Sequence, residues 1–490
     1  MLLIEVSDIE IDPLPHQEKT VKKVINQLKG RAILADEVGL GKTIEAGMIL
    51  KKYLNEGQVE NFLILVPASL GFQWTNELVN KFNIEDIFYN RKGRGWEYFD
   101  YQIASIDKAK RKEHARFLKK IDFDLVIVDE AHKLKNHRTL NWKFVNSLKK
   151  KFCLLLTATP LQNKIREIYN LVTLVRPDLY ESFQDFKKRY GAKEQFVEKS
   201  KELKNDLCQV MVRNCHQDTI LEFTDRQVEQ ISVKLSKVER KIYDQVTDLV
   251  KKKYQKQDKK QANVLNLLTY QRELCSSFAA LKRTLNKKES LPPEIEEILP
   301  MMGKIGISSK LQKTLDIIND LDRQVLIFTE FRATQDYIAY FLEKKGYDTI
   351  QFNGGFSMSG KEYIKHLFEK ERDVMISTKA GSQGLNLQFC NSIINYDLPW
   401  NPMKLEQRIG RIHRLGQTRE VYIYNLVTKN TIEEKILQVL YKKMNLLEEI
   451  VGGMDNVIVG LEEKIALEKE IIEIIGESGK EKIREKSIFV

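Results

Sequence analysis

Asp36-Glu37-Val38-Gly39-Leu40-Gly41-Lys42-Thr43 is the stretch that decides the fold. It follows an apolar, strand-like run at 32–35 and opens a helix-like run at 44–53. In that strand–loop–helix setting, Gly39 and Gly41 let the backbone wrap a phosphate chain so that N–H groups and a helix N-terminus point at it. Lys42 is then placed to reach the β- and γ-phosphates, and Thr43 to ligate Mg²⁺. Asp36 stands where the strict loop pattern wants glycine. Taken alone, the stretch also reads as a glycine-rich helix cap, so its purpose has to come from the rest of the chain.

Outward from the loop, short β-like runs alternate with helical stretches twice over. The first series is 32–35, 62–66, 102–105, 124–128 and 152–157, and the second is 325–328, 349–352, 373–377, 392–396 and 421–426. Apolar strands of this length, spaced by helix-length segments, predict parallel sheets covered on both faces. Two series predict two doubly wound α/β domains. Between them, at about 164–310, the sequence turns helical and charged. Residues 251–260 hold six lysines, which fits a solvated helix face as well as a DNA-facing patch. After residue 430, Ile432, Ile436, Val439, Leu440, Leu446, Leu447 and Ile450 recur at helical spacing, and Gly452-Gly453 ends that helix.

Composition narrows the class. The 490 residues carry 80 Lys+Arg against 69 Asp+Glu, a net charge of +11, which fits a nucleic-acid partner without establishing one. Five cysteines with no CxxC pair point to a reducing compartment and away from zinc, and Cys153, inside an apolar run, reads as a core residue. The start, Met1-Leu2-Leu3-Ile4-Glu5, has no basic n-region, and no apolar run approaches the ~20 residues that span a bilayer. The expectation is a soluble, cytoplasmic protein without a membrane partner, nucleoid-associated if prokaryotic.

Two further stretches carry phosphate chemistry. In Val126-Ile127-Val128-Asp129-Glu130-Ala131-His132 an apolar strand ends in adjacent carboxylates, where open parallel sheets place their ligand sites. Asp129 is the candidate Mg²⁺ ligand and Glu130 the candidate base for the attacking water. His132 either couples this site to Thr157-Ala158-Thr159-Pro160 or is structural. In Gln407-Arg408-Ile409-Gly410-Arg411-Ile412-His413-Arg414, a helix expected to start at Asn401-Pro402 puts 407, 410, 411 and 414 on one face. Gly410 in mid-helix costs about 1 kcal/mol relative to alanine, which implies a close approach by something else. Arg411 and Arg414 on one stripe suit developing γ-phosphate charge, and taken alone the stripe also reads as a basic helix face paired with acidic neighbours. Catalytic arginines in a different domain from the phosphate loop imply a composite site, with hydrolysis coupled to cleft closure.

In this order, these elements resemble the Swi/Snf-type ATPases of helicase superfamily two (DEAH-box), and Ala158, where many members carry glycine, resembles the RapA-like branch. The resemblance covers about 12–450 and implies two RecA-like lobes with helical insertions between them and a C-terminal helical extension. It implies a first lobe at 1–222 with a protrusion near 164–215, a linker and second protrusion at 223–310, a second lobe at 311–445, and a helical brace or tail at 446–490. Pro15-His16-Gln17 is similar to the adenine-recognising motif, with Gln17 as base contact, and Asp36 belongs to the family's own phosphate loop. Leu156 to Asn163 (LTATPLQN), Ser377-Thr378-Lys379-Ala380-Gly381 and Gly384-Leu385-Asn386-Leu387 follow in the family's order. Gly384, Asn386 and Gln407 are implied on the nucleotide side. Ser69, Gln73, Ser105, Thr329, Arg332, Asn353, Thr378 and Trp400 are implied as DNA contacts.

What the resemblance implies is an ATP- and Mg²⁺-dependent translocase on double-stranded DNA that remodels or displaces bound proteins. The chain leaves little room for the family's accessory domains, so a protein partner in trans is expected. A strand-separating helicase on DNA or RNA and a nucleotide-gated adaptor that recruits a partner to DNA are the competing readings.

Overall fold

The computed structural model describes residues 9–158, 165–190, 202–203, 205–214, 224–256, 261–287, 293–303, 305–321, 324–354, 356, 358–378, 386–400, 402–414, 416–438 and 440. The first sheet contains β1 (Arg31–Leu34), β2 (Phe62–Val66), β3 (Phe88–Tyr89), β4 (Tyr101–Ser105), β5 (Asp122–Val128), β6 (Lys149–Leu156) and β7 (Met211–Val212). Their order is β3-β4-β2-β5-β6-β1-β7, and every pairing is parallel. The second contains β8 (Arg226–Val233), β9 (Val325–Thr329), β10 (Thr349–Phe352), β11 (Val374–Thr378), β12 (Ser392–Asn395) and β13 (Val421–Thr428). It runs β10-β11-β9-β12-β13-β8, again all parallel.

Both sheets are buried on both faces, which is why their inner strands read as unbroken apolar runs. In the first, Ile33, Leu63, Leu65, Val126 and Leu155 point to one core with the helices Leu140–Asn146 and Ile165–Val175. Their neighbours Leu34, Ile64, Ile127 and Leu154 point to the other, under Pro15–Asn26, Lys42–Asn55 and Gly71–Phe82. In the second, Leu326, Phe328 and Ile393 face one core, and Val325, Ile327 and Ile394 the other. Each fully buried aliphatic side chain contributes about 1.5–3 kcal/mol relative to leaving it exposed. Cys153 lies in the first lobe's core, as expected.

The inserted segments are tied to the lobes more closely than the sequence suggested. Ile168, Leu171, Val175, Phe186, Leu207 and Met211 belong to the first lobe's core, so the described part of 164–215 is integral to that lobe. The stretch read as a linker after 223 includes β8, an edge strand paired with β13 from Arg226↔Val421 to Val233↔Thr428. Helices Lys237–Lys256, Phe278–Leu285 and Pro293–Gly303 place Ile242, Leu281 and Ile298 in the second lobe's core. Residues 432–438 are helical and dock Ile432 and Ile436 there too. The expected extension at 446–490 lies outside the described residues. No described helix is long and apolar enough to cross a membrane.

Parallel register brings the strands' carboxyl ends to one edge of each sheet. Leu34 pairs with Leu156, Leu65 with Val128, and Val66 with Ser105. The loops after β1, β2, β5 and β6 therefore leave the first lobe side by side, where open α/β sheets hold ligands.

Candidate active site in the cleft between two lobes

The loop after β1 is shaped by two left-handed glycines, Gly39 (φ 98°) and Gly41 (φ 91°), a region that other residues adopt only with strain. Gly41 is also crowded: a Cβ there would lie 2.4 Å from Gln17 Nε2. Gln17 Nε2 donates to the Leu40 carbonyl at 3.1 Å, and His16 Nε2 lies 2.9 Å from the same oxygen. The adenine-motif candidate is thus joined directly to the phosphate loop. Lys42 Nζ donates to the carbonyls of Asp36 (2.7 Å) and Glu37 (2.9 Å). Burial lowers the pKa of this ammonium, and the carboxylates of Asp36, Glu45, Glu130 and Asp129 oppose the shift.

Asp36 corrects the sequence reading. Its carboxylate is fully buried and turned into the lobe, where Oδ1 accepts from Asn214 N and Oδ2 from Asn214 Nδ2, both at 2.9 Å. Asn214 Nδ2 also donates to Thr20. Burial, and then the Asp36 charge, push the Glu45 carboxyl well above its ordinary range. The Asp36 side chain therefore braces the loop from behind and does not face the cleft.

At the end of β5, Asp129 Oδ2 accepts from Trp74 Nε1 at 2.9 Å and Oδ1 from Glu130 N at 2.7 Å. Burial, reinforced by Glu130, raises its pKa to about 6. Glu130 itself has a left-handed backbone (φ 51°), a strained conformation for a non-glycine residue and one enriched at functional sites. Its Oε2 lies 2.9 Å from His132 Nδ1. Burial drives the Glu130 carboxyl upward, but the His132 hydrogen bond, with the charges of His132, Arg411 and Lys42, holds it below its usual range. Kept ionised, this carboxylate has lone pairs free for a proton, although the lowered pKa makes it a weaker base than one tuned towards neutrality. His132, left open by the sequence, is the partner of Glu130.

The second lobe supplies the opposite wall. The helix Pro402–Ile409 stops short of the expected face. Gly410 N still bonds to Glu406 O, but Arg411 N bonds to Arg408 O and Ile412 N to Ile409 O, tightening the chain into turns that carry Arg411 and Arg414. The close approach implied by Gly410 is real: a Cβ there would meet Val38 Cγ1, in the phosphate loop of the other lobe, at 2.6 Å. Burial, then the Arg414 charge, lowers the Arg411 pKa to about 10, and Glu130 opposes. Burial also lowers Arg414. Arg408, almost fully buried, anchors the helix through Asn395 Oδ1 (3.1 Å) and Asp397 O (2.6 Å).

Together these walls enclose a cavity of about 130 Å³ that includes Lys42, Thr43, Asp129, Glu130, Gln407, Arg411 and Arg414. A second cavity of about 410 Å³ adjoins it, sharing Gly39, Gly41, Gln73 and Arg414 and adding Gln17, Ile44, Ser69 and Asn386. Charged side chains line both, Lys42, Asp129, Glu130 and Arg411 in the smaller and Glu77, Lys81, Lys361 and Lys365 in the larger. Lys361 is a residue no sequence motif had singled out. Gly384, Thr159-Pro160 and Lys379 to Gly381 lie outside the described residues.

Residues 16–279 match the family model described as SNF2-related domain, and residues 309–416 match the helicase conserved C-terminal domain. The chain belongs to the SNF2-related family. It is 46% identical over 459 residues to an uncharacterized ATP-dependent helicase, YqhH, of Bacillus subtilis (strain 168), covering 92% of this chain and 81% of that protein. It is 28% identical over 456 residues to a chromodomain-helicase-DNA-binding protein 3 homolog of Caenorhabditis elegans, with 86% of this chain but only 25% of that protein covered. A solved SWI2/SNF2 ATPase core of Sulfolobus solfataricus in complex with dsDNA is 24% identical, with TM-score 0.45, covering 95% of this chain and 99% of that one. As a member of this family of ATP-dependent helicases, the protein is an ATPase.

In this SNF2-related ATPase the DNA-contact candidates gather at the carboxyl edges of both sheets. Ser105 ends β4 beside β2, which leads to Ser69. Thr378 pairs with Thr329, and Phe352, one residue before Asn353, pairs with Ser377. Arg332 is exposed and donates to Asn353 Oδ1 at 3.2 Å. Thr329 is a correction: fully buried, it donates its hydroxyl to Asp397 Oδ2 at 2.6 Å and does not present it to a phosphate. Thr378 is also buried. Gln73 lines both cavities, which puts it on the nucleotide side. Trp400 is half-buried against the Arg272 guanidinium, 5.3 Å from the ring centre.

Proposed function

We propose that this ATPase is an ATP-driven translocase on double-stranded DNA that remodels or displaces bound proteins, with a protein partner in trans supplying its target. The observation that carries the reading is the composite cleft, in which Gly410 rests on the phosphate loop and Arg411 and Arg414 face Glu130 from the other lobe. Lys42 and the loop hold the phosphates, Glu130 takes the proton of the attacking water with His132 keeping it ionised, and the two arginines balance charge leaving with the γ-phosphate. Gln17, Gln407 and Asn386 bound the nucleotide. Such a site is complete only when the lobes meet, so each turnover is a cycle of closing and opening, the physical basis of stepping.

Thr43 and Asp129 fit a magnesium ion. They line one cavity, offer only oxygen, and leave each Asp129 oxygen one lone pair beyond its existing hydrogen bond, a donor set that a hard divalent cation prefers. When bound, the ion neutralises phosphate charge.

For DNA, support comes from relatives named as DNA-binding helicases and from Arg332, Asn353 and Ser105 at the sheet edges. Contacts of this kind position a backbone without reading its sequence. A triplex-displacement assay tests the proposal. ATP-dependent release of the third strand with an intact duplex is expected. Unwinding of the duplex would favour a strand-separating helicase, and ATP hydrolysis without either would favour an adaptor.

A further inference from the structure

Arg272 lies on the helix Gln261–Ser276, outside every motif that bears on the cleft, yet it is wired to it. Its Nη2 donates to Glu330 Oε2 at 3.0 Å, and the same carboxylate receives Arg408 Nη2 on Oε1 at 3.4 Å. The three side chains are 16%, 14% and 4% exposed, so two guanidiniums share one carboxylate with little water present. Burial would raise the Glu330 pKa, but Arg272 and Arg408 hold it below the ordinary range. Arg272 is further fixed by stacking over Trp400 and Phe331, 5.3 and 6.0 Å from the ring centres. On the far side, Arg408 O accepts from Arg411 N at 3.0 Å, and two residues on Gly410 meets Val38.

We propose that Arg272 is a positioning residue for ATP hydrolysis: from the helical insertion it holds Glu330 onto Arg408 and thereby fixes the segment that presents Arg411 and Arg414. The inference rests on the reading that those two arginines complete the ATP site. The arrangement connects the insertion to the cleft through two charge-assisted hydrogen bonds, Arg272–Glu330 and Glu330–Arg408, and one backbone bond from Arg411 to Arg408, the charged pair being strengthened where water is excluded. If Arg272 is lost, Glu330 and Arg408 still pair, so the lobe keeps its buried charges matched. The carboxylate is then gripped from one side only and can turn, which loosens the Nη2 end of Arg408 while Nη1 stays on Asn395 and Asp397. An element that moves with the insertion would thus change the arginines' aim without touching nucleotide.

The test uses the full chain and steady-state ATPase with saturating duplex DNA, alongside backbone amide exchange. R272M keeps an apolar stem over Trp400 and removes the guanidinium. Its kcat is expected to fall about tenfold, within the range shown by residues that couple sites without contacting ligand, while KM for ATP stays within about twofold. Amides at 402–414 should exchange faster in R272M, and those at 42–55 unchanged. R272K, which can still place one donor on Glu330, should recover to within about threefold of wild type. The double variant R272M/E330Q should be no slower than E330Q, since both act on one linkage. Wild-type kcat in R272M, a loss confined to KM, or multiplying losses in the double variant would overturn the proposal. R411A separates the two readings: if R411A is fully active, the assignment of the arginines fails, and the exchange rates at 402–414 still decide whether Arg272 positions that segment.

Discussion

Replacing Gly410 by alanine sets stability against activity. An alanine Cβ would lie 2.6 Å from Val38 Cγ1 and 3.2 Å from Glu406 O, whereas carbon–carbon contacts settle at about 3.5–4.0 Å. With Val38 held in its rotamer by the loop, the two lobes part by about 1 Å at this point, and a misplacement of that size costs about 10²-fold in rate, or about 2.7 kcal/mol of barrier. The backbone at 410 is outside the left-handed region, so alanine brings no strain there, and in a near-helical turn it gains at most about 1 kcal/mol over glycine. G410A should thus unfold no earlier than wild type yet hydrolyse ATP about 10²-fold more slowly. V38A supplies the reverse check, because it removes Cγ1 and leaves Cβ at 3.6 Å, an ordinary contact. V38A/G410A should regain most of the lost rate. Steady-state ATPase and thermal unfolding on the four proteins suffice. Full activity in G410A, or no recovery in the double variant, would show that the lobes do not work in this arrangement.

Three further outcomes follow from single sites. E130Q should retain nucleotide binding, measured by a fluorescent ATP analogue, and lose about 10²–10⁴-fold in hydrolysis, the contribution of a general base; near wild-type turnover would remove Glu130 from that role. N214A withdraws the side-chain donor shared by Asp36 and Thr20 and should cost about 1–3 kcal/mol, read as a lower urea midpoint; an unchanged midpoint would mean that the buried brace is not stabilising. Glu273 is raised to about 7 by burial, against opposing pulls from Thr284, Arg272 and Lys287. The folded state therefore keeps this proton up to about pH 7 while the unfolded chain releases it near the ordinary carboxyl value, so the group's stabilisation is complete in acid and lost as pH rises through 7. E273Q, which mimics the neutral acid, should show a higher Tm than wild type at pH 8 and a shrinking gap towards pH 5. A constant or reversed gap would refute this.

Much of the fold was legible because parallel strands buried on both faces leave continuous apolar runs, and the runs at 62–66 and 325–328 coincide with β2 and β9. β8 was not, because an edge strand reading Arg-Gln-Val-Glu-Gln-Ile-Ser-Val is mostly exposed and takes its identity from β13, almost 200 residues away. The cleft was legible where backbone geometry constrains residue type: Gly39 and Gly41 through positive φ, Gly410 through close approach. Side-chain direction was not. Asp36 turns inward because Asn214 lies behind it, and Thr329 is occupied by Asp397; both partners are distant in sequence. Arg272 escaped notice for the same reason, since nothing local to 272 points to Glu330.

The most direct test of the account is ATP turnover measured without nucleic acid and with duplex DNA, single-stranded DNA or RNA, each at two salt concentrations. A cleft closed by a motor tracking duplex backbone predicts the largest stimulation with duplex DNA, falling steeply as salt rises. Stimulation mainly by single strands or by RNA would contradict it.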